Sequence, residues 1–70
     1  MKTLHNIDRY LYRTMWSEED NEYVGLCEEF PSLSYLASKE QTALSGIHKL
    51  VSDVVEDMIA NNEDIPEPLH

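Results

Sequence analysis

The most regular pattern in the chain lies in its second half. Ala43, Leu44, Ile47, Leu50, Val51, Val54, Val55, Met58 and Ile59 recur at three- and four-residue spacing with polar residues between them. That period draws one apolar stripe along a helix. Ser38 is a favourable N-cap, and Gln41 three residues on completes a capping-box pattern. Asn61-Asn62 supplies a stop, because Asn tolerates the left-handed conformation that ends many helices. Between these signals the helix runs roughly 30 Å. Gly46 lies inside it at a cost of about 1 kcal/mol relative to Ala. Close approach of the helix to a sheet accounts for that cost, and a tolerated surface glycine is the alternative.

The first half has a period of two. From Tyr10 to Trp16, the residues Tyr10, Tyr12, Thr14 and Trp16 share one face, and Leu11, Arg13 and Met15 share the other. A polar turn at 17–22 separates this strand from a second at Tyr23–Cys27. The connection after it contains Pro31, which lacks a ladder donor and so marks a strand end. A third strand is expected at about Leu33–Ala37, completing an antiparallel meander. Residues 1–8 show no period and are expected to fray. The Pro-punctuated segment 62–70 is expected to be extended or flexible, with room for one short C-terminal strand.

Three strands followed by one helix predict a single α+β domain over 1–70, a two-layer β-β-β-α sandwich. One helix covers one sheet face, yet the first strand carries large apolar residues on both. One face therefore lacks a cover within the chain, which points to a second subunit or a protein partner.

Size and charge sharpen this picture. A 70-residue chain buries only about 60% of the surface its unfolded form exposes, so its own core is marginal. The single cysteine, Cys27, excludes an intrachain disulfide and suits a reducing compartment, and the sequence shows no metal-ligand spacing. Fourteen Asp/Glu against five Lys/Arg give a formal net charge of −9. Phosphate backbones require Lys and Arg, so direct nucleic-acid binding is disfavoured, as is an anionic membrane surface. A basic protein is the kind of partner such a field attracts. No apolar run reaches the length of a membrane span and no signal-peptide h-region is present, so a cytoplasmic protein is expected.

The ordered residues Trp16, Glu19, Asp20, Tyr23, Val24, Cys27, Glu29, Phe30, Pro31, Leu33 and Ser34, then Ala43, Leu44, Gly46 and Ile47, and finally Ile65, Pro66 and Pro68, resemble the HicB-like antitoxin family. The resemblance covers about Tyr10 to Leu69. It implies a partial RNase H-like fold, with a three-stranded antiparallel sheet, a packed helix and a short further strand. It also implies a small basic mRNA-cleaving toxin of the HicA type as partner, its active site masked, and a tendency to form homo-oligomers, dimers or tetramers. Family members usually open the helix with Thr-x-x-Glu-Ala-Leu; here Lys39-Glu40-Gln41-Thr42-Ala43-Leu44 stands there, so the capping pattern is shifted to Ser38 and Gln41. Many members continue past the Pro-x-Pro segment into a DNA-binding region. This sequence stops at His70, so operator binding by this chain alone is not expected, and an orphan member without a toxin is the alternative.

Catalysis is not expected. Nuclease chemistry on an RNase H-like fold needs carboxylates converging on two divalent metals. No acid lies between Tyr10 and Trp16, while Asp53, Glu56 and Asp57 read as a solvated helix face. Cys27 reads as a buried structural thiol and His48 as a boundary residue beside the apolar stripe. No cofactor or metal is expected. The candidate partner surface is Glu18, Glu19, Asp20 and Glu22 in the turn, with Glu28, Glu29 and Phe30 in the second connection. Tyr10, Tyr12 and Trp16 are assigned to oligomer contacts or packing. The function class other than antitoxin is a self-associating module that pairs through an edge strand.

Overall fold

The computed structural model describes residues 7–69; His5 and His70 and the other terminal residues lie outside them. A 3-10 turn at Ile7–Arg9 leads into β1 (Tyr12–Ser17), β2 (Glu22–Cys27), β3 (Ser34–Ala37) and one helix, α1 (Glu40–Ala60). The strands form an antiparallel sheet in the order β1-β2-β3. This is the β-β-β-α arrangement that the two periodicities predict. β1 begins two residues later than its pattern, because the chain bends at Tyr10, whose side chain is drawn into the core. The β1–β2 turn places Asn21 at φ 55°, a conformation that Asn accepts more readily than most residues.

One face of the sheet packs on α1. A Cβ on Gly25 would strike the Ala43 carbonyl oxygen and approach Ile47 Cγ2 to 2.9 Å, so this glycine lies under the helix. By alternation, Tyr12, Thr14, Tyr23, Cys27, Tyr35 and Ala37 share that face. The Tyr35 ring packs against Gly46, where a Cβ would overlap it. Close approach is thus the reason for the helical glycine. From the helix, Ala43, Ile47, Val51 and Val55 are fully buried, at four-residue spacing. Burying each of the larger three contributes about 1.5–3 kcal/mol. Leu50, Val54 and Met58 are half-buried at the stripe's margins, whereas Leu44 and Ile59 are exposed.

Both helix ends are informative. Lys39, with φ −120° and ψ 143°, is the N-cap, and no side chain caps the first turn. The capping box expected at Ser38 and Gln41 does not form, because the helix starts one residue later than that pattern. Glu40 opens the first turn and accepts a hydrogen bond from Thr14 Oγ1 at 2.7 Å, tying helix to β1. At the other end, Asn62 adopts φ 59°, Asn62 N donates to Ile59 O at 3.1 Å, and Glu63 N donates to Met58 O at 2.8 Å. Those two bonds make a Schellman stop at the Asn pair.

The two ends of the described chain differ from expectation. Ile7, assigned to a fraying segment, is buried in the core. Residues 63–69 form no strand, but they are tethered. Ile65 packs on the core, Tyr10 OH donates to Pro66 O at 2.5 Å, and Leu69 N donates to Glu29 Oε2 at 2.8 Å. Among the described residues no helix is long and apolar enough to cross a membrane.

Candidate partner-binding surface

The acidic turn is the tip of the β1–β2 hairpin. Glu18, Glu19 and Asp20 are exposed there. Ser17 Oγ donates to Asp20 Oδ2 at 2.9 Å, which holds the turn's shape. Beside it, Trp16 and Tyr23 meet edge to face with ring centroids 5.0 Å apart, and Trp16 Nε1 donates to Glu18 Oε2 at 3.2 Å. Both rings lie on the helix side of the sheet, but α1 begins over Thr14 and leaves them uncovered; Trp16 is 44% exposed. Carboxylates and a large amphipathic ring therefore share one protruding tip. Glu22, at the start of β2, is half-buried.

The second acidic group lies elsewhere. Glu28 follows the far end of β2, about 20 Å from the tip at strand spacing. It forms an ion pair with Arg13 at 3.7 Å on the sheet's outer face. The carboxylates expected to act together are thus divided between opposite ends of the hairpin. Glu29 does not face a partner at all. It is 8% exposed, and its Oε1 accepts from Leu11 N at 3.0 Å and Cys27 Sγ at 3.6 Å, while Oε2 accepts from Leu69 N. Burial opposes its charge, but the N–H groups of Leu69 and Leu11 outweigh that and hold its carboxyl below the usual range. Phe30 is half-buried, edge-on to Tyr10 at 5.8 Å.

Of the three aromatics assigned to oligomer contacts or packing, Tyr10 is core and Tyr12 is half-buried, its hydroxyl donating to Ile7 O at 2.8 Å. Burial pushes both phenols up, with nearby acidic groups adding to it. Only Trp16 is open. His48 meets Tyr12 at a tilt, with ring centroids 5.0 Å apart, and lies 3.2 Å from Asp8, at the margin of the stripe as expected. Burial pushes the Cys27 thiol up, against the pull of neighbouring backbone N–H groups. Asp53, Glu56 and Asp57 are exposed on α1, with Lys49 3.6 Å from Asp53. Among the described residues no three His, Cys, Asp or Glu side chains are grouped to hold a metal ion.

Two features go beyond the sequence reading, which expected an uncovered sheet face without the residues that β2 and β3 add to it. The outer sheet face carries Met15, Val24 and Leu36 in one row across all three strands, with Leu26 in the next row. Met15 is 53% and Leu36 44% exposed, and no described helix or strand packs over them. Alternation in each strand gives the face, but only the register lines these residues up. The other is an open apolar groove between the start of β1 and the N-terminal half of α1, lined by Tyr10, Leu11, Tyr12, Gln41, Leu44 and His48. Its exposed apolar members, Leu11 and Leu44, are 33 positions apart, and no local signal joins them.

Compared with models of protein families, with curated proteins and with solved structures, the chain matches none.

Proposed function

We propose that this chain is a HicB-like antitoxin domain that acts by binding, without catalysis, and occludes a small basic mRNA-cleaving toxin of the HicA type. The observation that carries the reading is the protruding hairpin tip. There Glu18, Glu19 and Asp20 lie beside an exposed Trp16 that packs on half-buried Tyr23, on a chain of net charge −9. Such a field draws a basic partner in and orients it. A large aromatic is a favoured anchor at an interface centre, and charged groups around it suit the polar rim. The ordered residues that resemble the family support the choice of partner.

The contact surface is therefore Trp16, Tyr23 and the turn carboxylates; Glu29 and Tyr10 are excluded because both are spent on the fold. The test is co-expression with each small basic protein encoded beside this chain, read by growth and co-purification. A toxic neighbour is neutralised and retained by the native chain. It is released by Trp16→Ala combined with Glu18→Lys and Glu19→Lys. Full retention by that triple variant would remove the tip from the interface.

The second reading is a self-associating module, favoured by the uncovered Met15–Val24–Leu36 row. In that case no neighbour is toxic, and the chain alone shows concentration-dependent mass.

A further inference from the structure

β1 is an edge strand. Glu28 N donates to Leu11 O at 2.9 Å, so the Leu11 carbonyl points toward β2. Backbone groups alternate sides along an antiparallel strand, so those of Arg13, Met15 and Ser17 also point inward. Tyr12, Thr14 and Trp16 then direct their N–H and C=O groups away from the sheet, where no described strand pairs with them. Such an edge is a template for one more strand.

We propose that this edge takes up an extended, basic segment of a partner protein, which adds to β1 as a fourth strand. Three features follow one another along the helix side of β1. At Tyr12 the edge opens into the apolar groove, where Leu44 is exposed. At Thr14 stands the Glu40 carboxylate, 2.7 Å from Thr14 Oγ1. At Trp16 the indole is exposed, with Glu18 bonded to its Nε1. Directly opposed residues on neighbouring strands share a face. The incoming strand therefore carries an apolar side chain opposite Tyr12, to enter the groove, and a Lys opposite Thr14, to reach Glu40. Opposite Trp16 it carries an Arg, whose guanidinium lies on the indole and meets Glu18.

Charge selects the occupant. Glu18, Glu19 and Asp20 stand at one end of the edge, Glu40 at its middle, and Asp8 beside His48 of the groove at the other end. Arg13 does not offset them, because it is turned to the outer face and paired with Glu28. That leaves Arg9 and Lys39, the chain neighbours of Asp8 and Glu40, against five acids. A basic segment is drawn to such an edge, whereas a second copy of this chain brings the same acidic excess. The opposite edge, β3, has four residues and runs into Lys39, so it offers fewer backbone groups. Pairing along one six-residue strand gives an interface at the small end of the range, so binding through the edge alone is weak and reversible.

This contact requires a basic partner but does not rest on that partner being a toxin. The probe is the heptapeptide Thr-Arg-Val-Lys-Thr-Leu-Thr, fluorescein-labelled at its N-terminus and amidated at its C-terminus. Paired antiparallel, it sets Arg, Lys and Leu opposite Trp16, Thr14 and Tyr12. Fluorescence anisotropy is expected to show weak, saturable binding, at least about tenfold weaker for the peptide with Glu in place of Arg and Lys. Amide hydrogen exchange read by NMR locates the peptide. The outward N–H groups of Tyr12, Thr14 and Trp16 slow when it is added, while those of Arg13 and Met15, already bonded to β2, do not change. Thr14→Pro removes the central outward donor, a change that edge strands tolerate, and abolishes binding with the circular dichroism spectrum preserved. If that variant does not fold, the exchange of Tyr12 and Thr14 in the native chain decides. No binding of the basic peptide overturns the proposal. Binding that slows no outward N–H, or that survives Thr14→Pro, also overturns it and leaves only attraction to the acidic tip. A toxin that binds without slowing Tyr12 and Thr14 overturns the edge contact and spares the toxin reading.

Discussion

Glu29 holds three separated pieces of chain with one carboxylate. The backbone N–H of Leu11 before β1, the Cys27 thiol at the end of β2 and the N–H of Leu69 in the tail all donate to it. Replacing it by Gln keeps its size but turns an amide N–H₂ toward groups that are themselves donors. Glu29→Gln is expected to cost about 1–3 kcal/mol near pH 7, read by urea denaturation. The pH dependence follows from the lowered carboxyl pKa. Stability from this group is complete above its unfolded-chain value, about 4.3, and is lost as pH falls through the lower folded-state value. The gap between native and Glu29→Gln curves should therefore close in acid; a gap unchanged down to pH 2 would contradict this role. None of this was legible in the sequence, where Glu29 reads as one of a surface acidic pair. Its partners Leu11 and Leu69 are 18 and 40 positions away. Gly46 is the opposite case, since its cost inside a helix already asks for a close neighbour. Tyr35 is that neighbour, so Gly46→Ala should destabilise the native chain despite the better helix propensity. In a Tyr35→Ala background the same change should stabilise, by up to about 1 kcal/mol. A double-mutant cycle with no coupling would refute the packing argument.

At the level of elements, α1 was readable because its stripe persists over five turns and ends at an Asn pair that accepts a positive φ. The strands were readable from alternation and from polar or Pro-containing connections. Which face meets the helix was not, since Gly25 has no side chain to betray that it lies under α1. The helix start was misplaced by one residue because Ser38 and Gln41 satisfy the capping pattern locally, whereas the chain leaving β3 puts Lys39 at the cap. An extended Lys39 backbone with no side-chain cap leaves room for improvement. Lys39→Ser is expected to stabilise by about 1 kcal/mol in chemical denaturation, through a capping oxygen and removal of a cation from the positive helix end. Ser38→Ala should change little. A larger loss from Ser38→Ala than gain from Lys39→Ser would return the cap to Ser38.

For the whole molecule, the pattern predicted an uncovered sheet face, and the structure has one in the Met15–Val24–Leu36 row. The acidic turn after Trp16 is legible in the sequence, but the exposure of that ring depends on where α1 begins. Together these features make the chain a folded carrier of two surfaces: an acidic aromatic tip and an open strand edge beside an apolar groove. The role proposed for the tip is recognition of a basic toxin. The most direct measurement is calorimetric titration of the purified chain with the small basic protein encoded beside it, at several salt concentrations. The expected result is a one-to-one complex whose affinity falls as salt rises and collapses with Trp16→Ala, Glu18→Lys and Glu19→Lys together. Binding that ignores both salt and those substitutions, or no binding to a neighbour that is toxic in cells, would contradict it.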